Sequence, residues 1–312
     1  MIRTLQQSLT QDQIEIIKAV LYFDVFKYPL TKDELFENSA ITISREQFSK
    51  ELLGLLNNNL LKQDGEFILH LERTKNDLSK RLLGNEGAKK IMPIAVKYSR
   101  IIASFPFVEG VCLSGGLSKN YYDNESDIDF FIITKPNRLW ICRTLLIIRY
   151  KLLPKKKRKF WCTNYFISSD SLFIPDNNPF SGTELAHLIP TVNYSAYNSL
   201  LEENNWYKRR FPNKQKHPGD LCQEAPQPFL KSFLEKILSG SLGTKLDDYF
   251  LKITLKHWQK KYPELAVEDF ELQFRSRKNV CKRHTKGFQN KVLKLWREKQ
   301  TEYETRFNIE LK

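Results

Sequence analysis

Residues 111–134 read VCLSGGLSKNYYDNESDIDFFIIT, and the fold turns on this stretch. Val111, Cys112 and Leu113 predict an apolar strand, and Gly115-Gly116 predicts a turn that leads into a short helical turn through Tyr121. A polar DNES loop follows, then a second strand over 127–134. Side chains alternate along a strand, so Asp127 and Asp129 leave one face about 7 Å apart while Ile128 points into a core. Neighbouring carboxylates repel and lose solvation, a cost that a bound divalent cation removes; magnesium or manganese suits hard oxygen donors. Glycine accepts positive φ and lets a ligand approach the backbone, and a helix starting at such a turn aims unpaired N–H groups at an anion. One segment therefore offers a phosphate cradle joined to a metal clasp.

Gly115-Gly116, ten intervening residues and Asp127-Ile128-Asp129-Phe130 together resemble the signature of the polymerase-beta-like nucleotidyltransferase superfamily. The resemblance covers residues 86–168. It implies an α+β (mixed α/β) fold in which a central mixed sheet is flanked by helices. It also implies magnesium-dependent transfer of a nucleoside monophosphate from a nucleoside triphosphate to a hydroxyl acceptor. Asp127 and Asp129 would be the catalytic and metal-holding acids, with Mg2+ or Mn2+ as cofactor. Ser114, Gly115, Gly116, Ser118 and Lys119 would contact the nucleotide. Superfamily members carry a third carboxylate on the next strand, predicted here over 160–168. That strand has Asn164 at its middle and Asp170 just beyond its end, so Asn164 or Asp170 would complete the metal site. An amide oxygen can ligate a metal but carries no charge and cannot act as a base.

The chain of 312 residues is long enough for two or three domains. Its net charge of +14 suits polyanionic partners such as a nucleotide, and the acceptor is left open as a small molecule, a protein or RNA. Five scattered cysteines form no C-x-x-C pair, which argues against a zinc ribbon or a disulfide framework. The first residues lack the apolar run of a signal peptide, and the most apolar helix carries Arg143, Arg149 and Lys151. A cytoplasmic location and no membrane partner are the expectation.

The flanks read as two further units. Residues 1–75 predict three helices and a hairpin around Asp64-Gly65, with capping signals at Thr31/Glu34 and Ser44/Gln47, a pattern that resembles a winged helix-turn-helix. Its third helix balances Arg45 and Lys50 against Glu46 and Glu51, so DNA binding is disfavoured. A linker over 72–85 and a helix over 86–105 lead into the catalytic unit at 86–175. Residues 138–153 predict an amphipathic helix followed by the basic run KKKRK. Residues 180–312 predict a helical C-terminal region: one helix over 183–207 interrupted by Pro190, a helix or pair over 229–262, and one or two basic helices over 274–307. There, Lys282, Arg283 and His284 are candidate contacts for a phosphate or an acceptor. Two rival functions remain: a catalytically weakened nucleotide-binding regulator acting through the winged helix, and an antitoxin-like interaction module.

Overall fold

Side-chain caps set the first helices. The computed structural model describes residues 9–282 and 287–311. Thr10 and Gln13 cap each other reciprocally at the start of α1 (Gln11–Asp24), and Thr31 and Glu34 do the same at α2 (Lys32–Asn38), directly after the two-residue strand β1 (Leu30–Thr31). Ser44 accepts the Gln47 N–H at 3.1 Å to open α3 (Arg45–Asn57). Gly65, at φ 59°, turns β2 (Lys62–Asp64) into β3 (Phe67–Leu69). The antiparallel sheet runs β1-β3-β2, the element order and pairing of a winged helix. Ile17, Leu35, Phe48 and Leu55 fill its core.

The linker expected over 72–85 is largely absent. Asp77 accepts hydrogen bonds from the Thr74 N–H at 2.9 Å and hydroxyl at 3.1 Å, which nucleates a single helix, α4 (Lys75–Ala103), eleven residues earlier than its apolar pattern suggests. Pro93 sits inside this helix and removes one hydrogen bond without ending it. The central strands follow: β4 (Val108–Ser114), β5 (Asp129–Thr134) and β6 (Cys162–Ser168), with α5 (Leu139–Leu152) as the crossover between the last two. β5 pairs antiparallel with β4 and parallel with β6. The basic run KKKRK begins a 3₁₀ turn, Lys155–Phe160.

Residues beyond 180 supply more sheet than their sequence suggests. After α6 (Pro179–Ala186) the chain forms β7 (Ile189–Val192) and α7 (Tyr194–Glu203), so residues 183–207 are not one interrupted helix. Pro190 lies in an edge strand, where a missing N–H is tolerated. Gly240 separates α8 (Phe229–Ile237) from α9 (Ser241–Lys261), and α10 (Val267–Phe274) follows. The expected basic helix over 274–307 is instead a hairpin, β8 (Ser276–Arg277) and β9 (Val280–Lys282), and then α11 (Phe288–Phe307). The mixed sheet runs β7-β4-β5-β6-β9-β8, and the protein is α+β. α11 returns to the first unit: the Tyr303 hydroxyl donates to the Leu60 carbonyl at 2.6 Å and Lys299 pairs with Asp24 at 2.6 Å. No described helix is long and apolar enough to cross a membrane.

α5 begins without a side-chain cap of its own. Asp247 of α9 supplies one, with Oδ1 accepting the N–H groups of Trp140 and Ile141 at 2.7 and 2.9 Å, and Oδ2 3.3 Å from the Lys278 ammonium. Burial raises the pKa of this carboxyl, so its worth rests on those donors. Replacing Asp247 by Ala leaves both N–H groups buried and unpaired and should cost about 2–4 kcal/mol. Asp247→Asn, which keeps an acceptor oxygen, should cost less. Denaturant unfolding of both variants checks the order; equal losses would contradict it.

Candidate active site

The site forms where β5 emerges from the core. Phe130, Ile132 and Ile133 are wholly buried, and their pairing with β4 and β6 sets Asp129 opposite Ser114 on one side and Cys162 on the other. Asp127 precedes the strand, which begins two residues later than its sequence suggests. The buried Ile128 between the two acids is held by backbone bonds to Lys159 and Cys162. Both acids line one cleft of about 430 Å³.

Gly115 adopts φ 67°, and a Cβ there would lie 2.2 Å from Asp129 Oδ2. The turn thus needs glycine twice over, for its dihedral and for the carboxylate packed against it. Ser114 and Gly115 reach the cleft wall. Ser118 and Lys119 act behind it: the Ser118 hydroxyl and the Lys119 ammonium each donate to the Gly115 carbonyl at 3.0 Å. Gly116 accepts the N–H groups of Lys119 and Tyr121, closing the 3₁₀ turn Leu117–Lys119.

On β6, Asn164 is the extra residue of a bulge, since Phe130 pairs with Thr163 and Phe131 with Tyr165. The bulge aims its amide into the cleft, where Nδ2 donates to Asp129 Oδ1 and Oδ1 accepts the Cys162 thiol at 3.1 Å. Asp170 instead accepts the Ser168 hydroxyl at 2.5 Å. Of the two candidates for a third position, Asn164 stands beside Asp129.

The acid that sequence spacing could not find is Glu184, on α6. Its carboxylate accepts the Gly115 N–H at 3.3 Å and the Lys119 ammonium at 2.8 Å. Sixty-nine residues separate Glu184 from Gly115, and no motif connects them. The far end of the cleft holds Asp176, Lys282 and Gln289: Lys282 lies 3.1 Å from Asp176 and donates to Gln289 at 2.6 Å, and Arg275 clasps Asp176 at 2.9 and 3.0 Å. Burial lowers the pKa of Lys282 even with Asp176 beside it. Lys282 therefore faces the cleft, while Arg283 and His284 lie outside the described residues. Phe131 stacks on Tyr165 at 4.7 Å along the cleft wall.

Burial pushes the Asp129 carboxyl up to about 7; the Cys162 thiol pulls it down, and the charges of Glu184 and Asp127 raise it further. Asp127, nearer the rim, is also raised by burial, with Lys159 opposing. Among the described residues no three His, Cys, Asp or Glu side chains converge to hold a metal ion. No family model, curated relative or solved structure matches the chain.

The Asp129 shift has a consequence for stability. Between about pH 4 and about pH 7 the folded protein keeps this proton while the unfolded chain has lost it, so stability falls as pH rises through that window. Asp129→Asn should therefore melt higher than the native protein at about pH 8, by an amount on the order of 1–2 kcal/mol, and match it near pH 4. Thermal melts across that range check the sign; a variant destabilised at pH 8 would contradict it.

Proposed function

We propose that this chain is a nucleotidyltransferase, in which a hydroxyl acceptor attacks the α-phosphorus of a bound nucleoside triphosphate. The new P–O bond forms as the bond to the departing pyrophosphate breaks, and the hydroxyl proton passes to water. The observation that carries this reading is the carboxylate of Glu184 on the Gly115 N–H and the Lys119 ammonium, directly beside Asp129. The turn already gathers an anion there, and a phosphate replacing that carboxylate would meet the same two donors.

The donor set fits magnesium. This ion binds through one or two carboxylates and completes its octahedron with water and substrate phosphate, so Asp127 and Asp129 suffice. When bound, it would neutralise charge on the phosphates and on the leaving pyrophosphate. Asp127 and Asp129 would hold it, and Asn164 would orient Asp129. The apolar walls and the Phe131–Tyr165 stack offer a dry surface for a base, and much of the catalysis would come from positioning. Asn164 cannot take a proton, so activation of the acceptor is weaker than with a third carboxylate.

A second reading, a nucleotide-responsive regulator, is favoured by one contact: the Tyr28 hydroxyl, at the start of the winged-helix sheet, donates to the Lys119 carbonyl behind the glycine turn. Against DNA binding, the cations of α3 are engaged, Arg45 with Asp33 and Lys50 with Glu46 at 3.1 Å. A gel-shift assay should show no duplex retention with or without nucleotide; nucleotide-dependent retention would favour the regulator.

Calorimetric titration of the four nucleoside triphosphates with magnesium tests the enzyme reading. Native protein should bind at least one of them, and Asp127→Asn/Asp129→Asn should bind none. Glu184→Gln frees Lys119 for the ligand and should tighten binding about three- to tenfold. Binding that persists without either acid would sink the assignment.

A further inference from the structure

α8 is mounted inside out. Its polar side faces the protein: the Lys231 ammonium, 2 % exposed, donates to the carbonyls of Ala103 and Val108 at 2.8 and 3.1 Å. Glu235 accepts the Phe107 N–H at 2.7 Å and pairs with Lys135 at 2.7 Å. Its apolar side faces outward. Phe229 is 83 % exposed and Leu230 64 %, with Phe233 and Ile237 about half exposed on the same stripe, and the rings of Phe229 and Phe233 stack at 5.9 Å. Solvated helices ordinarily turn the other way, so this arrangement is a cost that calls for an occupant.

α9, the next helix, has an amphipathic exposed side of its own. At 100° per residue, Leu242, Tyr249 and Ile253 share one exposed face with Lys245, Lys252, Lys256 and Lys260, so apolar and cationic side chains interleave. The acids of both helices are engaged elsewhere: Glu235 as above, Asp247 at the start of α5, and Asp248 with Lys278. The exposed side of α8 is thus apolar, and that of α9 interleaves apolar groups with lysines that form no ion pair among the described residues.

We propose that α8 and α9 dock on an anionic lipid surface. The phenyl and aliphatic groups of α8 would enter the boundary between headgroups and acyl chains, and the lysines of α9 would pair with lipid phosphates while their stems lie along the apolar layer. A second copy of the chain is the poorer occupant, because face-to-face pairing would set two lysine rows against each other. Docking on lipid departs from the expectation of no membrane partner. The sequence marks α8 as amphipathic, and only the fold reveals which side is turned inward.

Co-sedimentation with vesicles tests it. The full chain should pellet with phosphatidylglycerol vesicles, weakly with phosphatidylcholine vesicles, and less at high salt. Phe229→Ser/Phe233→Ser should reduce the bound fraction about tenfold or more, and Lys245→Glu/Lys252→Glu should abolish the preference for anionic lipid. All four positions are exposed, and circular dichroism confirms that the variants fold. Absence of native protein from the anionic pellet overturns the proposal. So does concentration-dependent self-association that the Phe229→Ser/Phe233→Ser variant removes, which would make the face a contact between copies.

Discussion

A carboxylate at the head of an otherwise apolar central strand is the constraint around which this structure is arranged. β5 is paired on both sides, and its wholly buried residues fix how far it reaches into the core. A slip of one residue would exchange its two faces, so register is strongly specified and Asp129 cannot avoid its half-buried position. The neighbours answer that cost in different ways. Gly115 leaves room by having no side chain, Asn164 leaves the line of β6 to donate an amide hydrogen, and the Cys162 thiol completes the chain of donors. None of these supplies a full positive charge, and the carboxyl therefore stays near the neutral range. A group balanced there binds a cation when one is offered and holds a proton when none is.

The same strand explains why α8 and α9 lie where they do. α5 must cross from β5 to β6, and its uncapped start falls beneath α9, where Asp247 receives it. Arg138, just before α5, reaches the Leu238 and Gly240 carbonyls at 2.6 and 2.9 Å and so ties the α8–α9 junction to the sheet. Gly243 is needed at that junction, since a Cβ would lie 1.9 Å from the Leu238 carbonyl oxygen. With the polar side of α8 committed to Ala103, Phe107 and Val108, its apolar stripe faces outward.

Local signals in the sequence carried the first half of the chain. The capping boxes at Thr31 and the Asp64-Gly65 hairpin depend on residues within a few positions of each other, and so does the strand–glycine–strand unit. Nothing local marks β7 or the β8–β9 hairpin as strands: they are short and their pairing partners lie up to 117 positions away, as Tyr165 opposite Lys282 illustrates. Proline at 190 read as a helix break because the edge position that accommodates it exists only once β4 is beside it. The site divides the same way. Asp127, Asp129 and Gly115 were legible from their spacing, whereas Glu184, Asp176 and Gln289 reach the cleft from separate elements, and no spacing rule links them.

The N-terminal unit and the loop after the glycine turn both pack closely on α4. A Cβ on Gly84 would strike the Tyr121 ring at 2.2 Å, and one on Gly87 would strike the Tyr122 carbonyl oxygen at 2.1 Å, so the loop after the glycine turn lies directly on this helix. Arg81, one turn earlier, stacks on Tyr28 at 3.8 Å and pairs with Glu34 at 2.6 Å, which fixes α2 and β1 to the same helix. Tyr28 then hydrogen-bonds to the Lys119 carbonyl, and the Lys119 side chain holds Glu184. A displacement of Glu184 by an incoming anion therefore acts on a residue whose backbone is already gripped by the winged helix. Rigid packing on both sides of that residue favours two discrete arrangements over gradual yielding. Under the proposed function, catalysis and regulation would then draw on one contact, and the exchange of Glu184 for phosphate would be the step at which they meet.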